Sequence, residues 1–266
     1  MAIKKILLTG DDGFNSIGTR ILIHFLKDKY DLTVAGTKSQ QSAVGGKISY
    51  KEGFKWEESE VDGVKAYVAD GTPADSMELV VTLLHEKYDL ILSGINFGAN
   101  VGTLHSSGTL GAVFRGLGVA LAPKGIALSW ELHQSHWLSK HDGNENIDKF
   151  LEYPGIVAGK VVEMCIEKDL WGAQMLNINF PGKQSNKVKF VRNVSDMTKI
   201  YDYSSYLPDR STGSFDYRGD RIEDKAMGND FDGKALSEGY TTIMPLNPGL
   251  LDDEIYKKFK DLNFEV

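Results

Sequence analysis

Two aspartates stand side by side in Thr-Gly-Asp-Asp-Gly at 9–13, directly after the apolar run Ile3 to Thr9. Adjacent carboxylates repel, and a charge at the end of a buried strand is costly unless a cation or hydrogen-bond donor relieves it. A metal ion is the simplest relief for Asp11 and Asp12. Further oxygen-bearing segments follow: Gln-Ser-Ala-Val-Gly at 41–45, Ser-Gly-Ile-Asn-Phe-Gly-Ala-Asn-Val-Gly at 93–102 and Ser-Gly-Thr at 107–109. Carboxylate, hydroxyl and amide oxygens, with no Cys or His inside these segments, select a hard cation such as Mg²⁺ or Mn²⁺ over structural zinc. Ser107, Gly108 and Thr109, set before an apolar helical pattern, offer N–H and hydroxyl donors to an anion such as phosphate.

Each segment also has a plainer reading. Asp-Asp-Gly suits a helix cap and a turn, the Asn and Gly residues of 93–102 suit left-handed turns, and Ser107 suits an N-cap. Taken singly, the plainer reading is favoured. Their convergence changes the balance, because these segments follow three inferred parallel strands and open one helix, all facing a single crevice.

The elements that would position them alternate along the chain. Ile3 to Thr9 reads as a strand buried on both faces. Ile21, Leu22, Phe25 and Leu26 recur at helical spacing, and Asp31 to Ala35 returns to a strand pattern. The cycle repeats with a helix over 75–85, a strand over 89–93, a helix over 109–120 and a strand over 125–130. A helix over 154–168 with Pro154 in its first turn, and a strand over 175–180, extend it. Such alternation predicts a Rossmann-like α/β/α sandwich around a mostly parallel sheet. Residues 195–233 break the pattern and read as an extended or hairpin excursion, before a strand over 239–246 and a terminal helix over 252–259. In open α/β sheets ligands gather at the carboxyl ends of the strands, which is where the polar segments fall.

The bulk properties fit one domain spanning 1–266. The chain has 266 residues, 41% hydrophobic and 25% charged, values ordinary for a globular protein. Its formal charge of -7 and isoelectric point near 5.4 argue against a broad footprint for a nucleic-acid duplex or an anionic membrane. Cys165 is the only cysteine, which excludes an intrachain disulfide and a Cys-based zinc cluster, and a reducing cytosol is expected. The first apolar run meets two acids at once, unlike a secretory signal core. No apolar stretch approaches the roughly 20 residues that cross a bilayer.

These motifs in this order, with Gly-Thr-Pro-Ala-Asp at 71–75, closely resemble the ordered motifs of the SurE survival-protein family of nucleotidases. Leu176-Asn-Ile-Asn-Phe-Pro181 and Gly239-Tyr-Thr-Thr-Ile-Met-Pro-Leu246 resemble it too, so the likeness spans nearly the whole chain and is densest before residue 130. The resemblance implies that the family's metal-binding aspartates fall on Asp11 and Asp12, its serine ligand on Ser42 and its asparagine ligand on Asn96, holding a divalent Mg²⁺ or Mn²⁺ in each subunit. It implies catalytic roles for Asp11, Asp12 and Asn96, and a phosphate site of Ser42, Gly45, Asn96, Ser107, Gly108 and Thr109. The implied reaction is hydrolysis of nucleoside 5′- and 3′-monophosphates, with short polyphosphate as a further substrate of some members. Homodimers or homotetramers that exchange C-terminal segments are also implied, and 195–233 and 247–266 are the stretches for that exchange.

Two positions depart from the family. Gly10 stands where Asn is usual and Gly36 where Pro is usual, so a polar side chain is missing beside the aspartates while each ligand type is intact. Other functions fit less well. The first turn lacks the Gly-x-Gly-x-x-Gly of a dinucleotide oxidoreductase, and Gly45-Gly46-Lys47 lacks the spacing and Ser/Thr of a P-loop. A non-catalytic nucleotide- or phosphate-binding module is the alternative. Adjacent carboxylates, in place of Asp-x-Asp, favour direct attack of water over an aspartyl-phosphate intermediate. His105 reads either as a leaving-group acid or as an incidental loop residue, and Cys165 reads as a core residue.

Overall fold

The computed structural model describes residues 3–102, 105–132, 136, 141–194, 196–199, 202, 208–215, 228–249 and 253–260. Among them, strands β1 (Lys5–Thr9), β2 (Asp31–Thr37), β3 (Lys55–Val61), β4 (Val64–Asp70), β5 (Leu90–Phe97), β6 (Gly125–Trp130), β7 (Met175–Phe180), β8 (Val188–Phe190) and β9 (Thr241–Leu246) form one sheet. Their spatial order is β3-β4-β2-β1-β5-β6-β7-β9-β8. The six strands from β4 to β7 run parallel; β3 pairs antiparallel with β4, and β9 antiparallel with β7. The helices are α1 (Ile17–Leu26), α2 (Pro73–Leu83), α3 (Gly108–Gly118), the single turn α4 (Asp148–Phe150), α5 (Ile156–Glu167), α6 (Asp232–Ser237) and α7 (Asp253–Phe259).

Both faces of the parallel strands are covered, which is why those strands read as unbroken apolar runs. Alternation sends Ile6 and Leu8 of β1 into one core with Ile21 and Leu22 of α1 and Val161 and Cys165 of α5. Leu7 goes the other way, into a core with Met77 and Val80 of α2 and Leu110 and Val113 of α3. Burial also pushes the Cys165 thiol up to about 12, so it stays an uncharged packing group.

The crossovers do not all share a hand. The β1-α1-β2 unit steps toward the β3 edge and β6-α5-β7 toward the β8 edge, yet α1 and α5 lie on the same face, where Phe25 meets Gly155 and Gly159. The β5-α3-β6 unit, stepping toward the β8 edge on the opposite face, agrees in hand with β1-α1-β2. The usual right hand therefore belongs to these two, and β6-α5-β7 is the left-handed exception. Its long connection passes the start of α1, where the Ile17 amide donates to His141 Nδ1 at 3.1 Å.

Most predicted elements stand within a few residues of their expected bounds. The β3–β4 hairpin lies in a stretch with no predicted element; β3 is almost wholly exposed and its Glu-rich sequence has no apolar face to read, whereas the buried β4, with Val64, Ala66, Tyr67 and Val68, carries a strand pattern that no predicted element covers. Pro154 does not open α5; it sits in the preceding turn after a cis Tyr153–Pro154 bond. The excursion over 195–233 lies largely outside the described residues, and its end, Asp232, is the first residue of α6. Of 247–266, residues 250–252 and 261–266 also lie outside them.

Candidate active site

The chain builds outward from β1 through β2 to β4, then returns through α2 to place β5 on the other side of β1. A sheet whose strand order reverses in this way opens a crevice beyond the carboxyl ends of the two strands at the reversal. Asp11 and Asp12 follow β1, and Asn96 lies near the end of β5.

Both aspartates are buried, 4% and 5% exposed. Asp11 Oδ1 accepts the Thr109 hydroxyl at 2.6 Å. On its other side it abuts Gly108, where an added Cβ would lie 2.8 Å from both the Asp11 Cβ and Oδ2. The missing side chain at Gly108 is thus what admits the carboxylate to the start of α3. Asp12 Oδ2 accepts the Phe97 amide at 2.9 Å, which ties it to the residue after Asn96, and its Oδ1 accepts the Gln40 amide at 3.1 Å.

Burial raises the Asp11 pKa above the ordinary carboxylate range, with the Thr109 hydroxyl opposing. Burial raises Asp12 too, and the neighbouring Asp11 charge adds to it, opposed by Phe97 and Gln40. Among the described residues, these two desolvated carboxylates are served by a few neutral donors and no cationic side chain, an anionic pair suited to a cation.

Asn96 lies at a break in strand regularity. Between Ser93 and Asn96 the pairing of β5 with β6 shifts by one residue, so Ser93 pairs with Ala127 while Asn96 pairs with Ser129. Regular alternation from Leu90 and Leu92 would place Asn96 on the α1 face; the bulge instead puts Ile95 and Phe97 there and pairs Asn96 with Ser129. The Asn96 Nδ2 donates to the Gly98 carbonyl at 2.7 Å, which leaves its Oδ1 as the ligand-type atom.

The loop after β2 is fastened at three points. The Gln41 amide donates to the Asp11 carbonyl at 2.7 Å, which fastens the residue before the exposed Ser42 to the backbone of the first aspartate. Gly45, at φ +57°, donates its amide to Ser106 at 2.9 Å; a Cβ there would strike the His105 carbonyl, and one on Gly111 would strike Gly45. Gly45 therefore packs the loop against the amino end of α3. Beyond it, Thr72 donates to the Lys47 carbonyl at 2.5 Å, and Asp75 accepts from the Ser49 amide and hydroxyl at 2.9 and 2.7 Å. The 71–75 motif is thus the α2 capping box and an anchor of this loop.

At α3 the N-cap Ser107 accepts from the Leu110 amide at 3.2 Å, and among the described residues its own hydroxyl proton has no acceptor. Among the described residues, the Gly108 and Thr109 amides of the first turn meet no protein acceptor. Donors of this kind at a helix start form an anion site, here beside Asp11. The cap and the phosphate readings of Ser107–Thr109 are therefore compatible. His105 is exposed, and its carbonyl rather than its ring packs on Gly45.

Spacing did not single out Gln40, the donor to Asp12, or Gly18. A Cβ on Gly18 would fall on the Ile95 carbonyl oxygen, so α1 presses on the β5 bulge only because residue 18 has no side chain. Gly18→Ala is expected to cost about 2–4 kcal/mol in urea unfolding. Gly10 differs, since a Cβ there makes only ordinary contact with Gly94, at 3.5 Å, and Gly10→Ala should leave stability within about 1 kcal/mol of the parent. The space beside the aspartates thus admits at least the first atom of the family's usual Asn. At Gly36 a Cβ would lie 2.7 Å from the Phe14 Cα, so the backbone of Phe14 packs where a side chain would stand.

Fold and site define an open three-layer α/β protein with a buried carboxylate pair and a donor-bearing helix start at its switch point. The sequence profile described as Survival protein SurE matches residues 6–202, and the chain belongs to that family. It is 31% identical over 246 residues to the 5′-nucleotidase SurE of Archaeoglobus fulgidus, covering 91% of this chain and 90% of the relative. It is 32% identical over 253 residues to the protein of that name from Methanopyrus kandleri, covering 94% and 93%. For the one from Clostridium botulinum strain Alaska E43 the identity is 30% over 262 residues, covering 97% of both. The crystal structure of the SurE protein from Aquifex aeolicus covers 96% of this chain and 98% of its own with a TM-score of 0.73; at 24% identity this is a likeness of fold.

Proposed function

We propose that this protein is a metal-dependent 5′-nucleotidase, a phosphomonoesterase that hydrolyses nucleoside 5′-monophosphates to nucleoside and phosphate, with 3′-monophosphates and short polyphosphate as further substrates. The observation that carries the reading is a pair of adjacent buried carboxylates of which one, Asp11, touches both Thr109 and Gly108 at the start of α3. Curated relatives named 5′-nucleotidase that match over nine-tenths of the chain support it.

Asp11, Asp12, Ser42 and Asn96 would hold the cation, and their oxygen-only chemistry suits Mg²⁺ or Mn²⁺. When bound, such an ion supplies charge neutralisation and Lewis acidity toward a phosphate oxygen and water. The amides of Gly108 and Thr109 and the Ser107 hydroxyl receive the phosphate oxygens, and the helix dipole favours their charge. Water attacks phosphorus and gives up a proton, the ester P–O bond breaks, and that proton is balanced by the one taken up at the leaving ester oxygen, so that nucleoside and phosphate are released.

Incubating the purified protein with AMP, GMP and p-nitrophenyl phosphate, with chelator and then with restored Mg²⁺ or Mn²⁺, tests this. Phosphate release that stops with chelator and returns with metal is expected; nucleotide binding without release would mean a binding module. Among the described residues no helix is long and apolar enough to cross a membrane, and a homodimer or homotetramer in the cytosol completes the proposal.

A further inference from the structure

The loop after β5 does not simply turn away from the sheet. It folds back across the ends of β6 and β7, where two side chains of β7 hold the backbone of Asn100. The Asn100 amide donates to Asn179 Oδ1 at 2.7 Å, and the Asn100 carbonyl accepts from Asn177 Nδ2 at 2.9 Å and Asn179 Nδ2 at 3.2 Å. Both polar groups of one peptide residue are thus taken by strand side chains.

The clamp is costly where it stands. Asn177 and Asn179 are 0% and 1% exposed in a central strand whose other members, Met175, Leu176, Ile178 and Phe180, are buried apolar residues. Asn177 Oδ1 is buried with no hydrogen-bond partner among the described residues. Apolar side chains here would avoid that desolvation penalty, so the two amides mark a requirement for position rather than for packing.

What they position is the Asn100 side chain. Its Nδ2 donates to Ser129 Oγ at 2.8 Å and to Thr109 Oγ1 at 3.3 Å, and Thr109 in turn donates to Asp11 Oδ1 at 2.6 Å. A hydroxyl has one proton, and an amide N–H₂ donates and does not accept. With Asn100 placed as a donor to Thr109, the hydroxyl proton is directed onto Asp11. We propose that Asn100, clamped by Asn177 and Asn179, is a positioning residue that orients the Thr109 hydroxyl toward Asp11. This deepens the reading of the site as a phosphomonoesterase and rests on it.

A double-mutant cycle tests the relay. Asn100→Ala should lower kcat for AMP by about tenfold to thirtyfold with KM within about threefold, and Thr109→Val by about a hundredfold. If Asn100 acts through Thr109, the double variant falls no further than Thr109→Val, within about twofold, whereas an independent structural role multiplies the losses. Thr109→Ser keeps the hydroxyl and should restore the sensitivity to Asn100→Ala. Asn179→Ala should give the kcat pattern of Asn100→Ala.

The same cycle is read without substrate as Mn²⁺ affinity, by the electron paramagnetic resonance of free Mn²⁺, and non-additivity is expected there too. Multiplicative losses in both readouts, or an Asn100→Ala protein equal to the parent, would overturn the proposal. A parent protein that binds Mn²⁺ but releases no phosphate would defeat the phosphomonoesterase reading, and the affinity cycle then decides the relay by itself. The clamp grips the backbone of residue 100, so Asn100→Ala is expected to fold; should it not, Asn100→Ser takes its place in the cycle.

Discussion

Replacing Asp11 with asparagine is expected to lower phosphate release from AMP by roughly a thousandfold or more while the fold survives. The side chains are nearly the same size, so no cavity opens at a position only 4% exposed. An asparagine Oδ1 can still accept the Thr109 hydroxyl, which Asp11 now takes at 2.6 Å. What changes is the other atom: an amide nitrogen, whose lone pair is delocalised into the carbonyl and which carries no charge, replaces the Oδ2 beside Gly108. The variant thus loses an oxygen of the proposed cation site and half of the paired charge together. Circular dichroism and thermal unfolding should match or exceed the metal-free parent. Turnover within about tenfold of the parent would instead make Asp11 a structural residue.

The second large effect concerns stability in the absence of metal. Burial raises Asp11 to about 6, and burial together with the Asp11 charge raises Asp12 to about 7, both from 3.8. Between those values the folded state binds more protons than the unfolded chain, so folding stability falls as pH rises. The contribution is therefore full below about pH 4 and is lost as the pH rises through about 7. Asp89 has the opposite sign, because its carboxylate accepts the Lys4 and Lys5 amides and its pKa is lowered.

Urea unfolding in chelator at several pH values across this window should show the decline. Saturating Mg²⁺ or Mn²⁺ should offset it near neutrality, since an ion that binds only the folded state stabilises that state. Asp12→Asn should flatten the metal-free profile and remove most of the stabilisation by metal; Gln40 can reverse its amide to suit the new side chain. A chelated parent whose stability rises through the window would contradict two buried, unrelieved carboxylates.

The aspartate pair was legible because adjacent acids at the end of an apolar run have few physical interpretations. Thr109 was legible as a phosphate donor, but its bond to Asp11, 98 positions away, was not. Asn100 lay inside a recognised motif without a role, since its clamp comes from β7 and its target lies on α3. The buried Asn177 and Asn179 were a signal open to reading, as polar residues alternating in a strand that otherwise calls for apolar ones. The exposed β3 left no such trace, because an exposed strand needs no apolar pattern, while the buried β4 did carry one in Val64-Lys-Ala-Tyr-Val-Ala.

Local chemistry along the chain determined the parallel α/β core, the strand ends and the types of atom offered there, because apolar periodicity and turn residues act over a few neighbours. Three matters were decided only in the folded molecule: the bulge that pairs Asn96 with Ser129, the seating of α3 against Asp11 through Gly108, and the left hand of β6-α5-β7. Each depends on how closely two distant backbones approach, and that distance is set by the packing of the whole sheet and its helices.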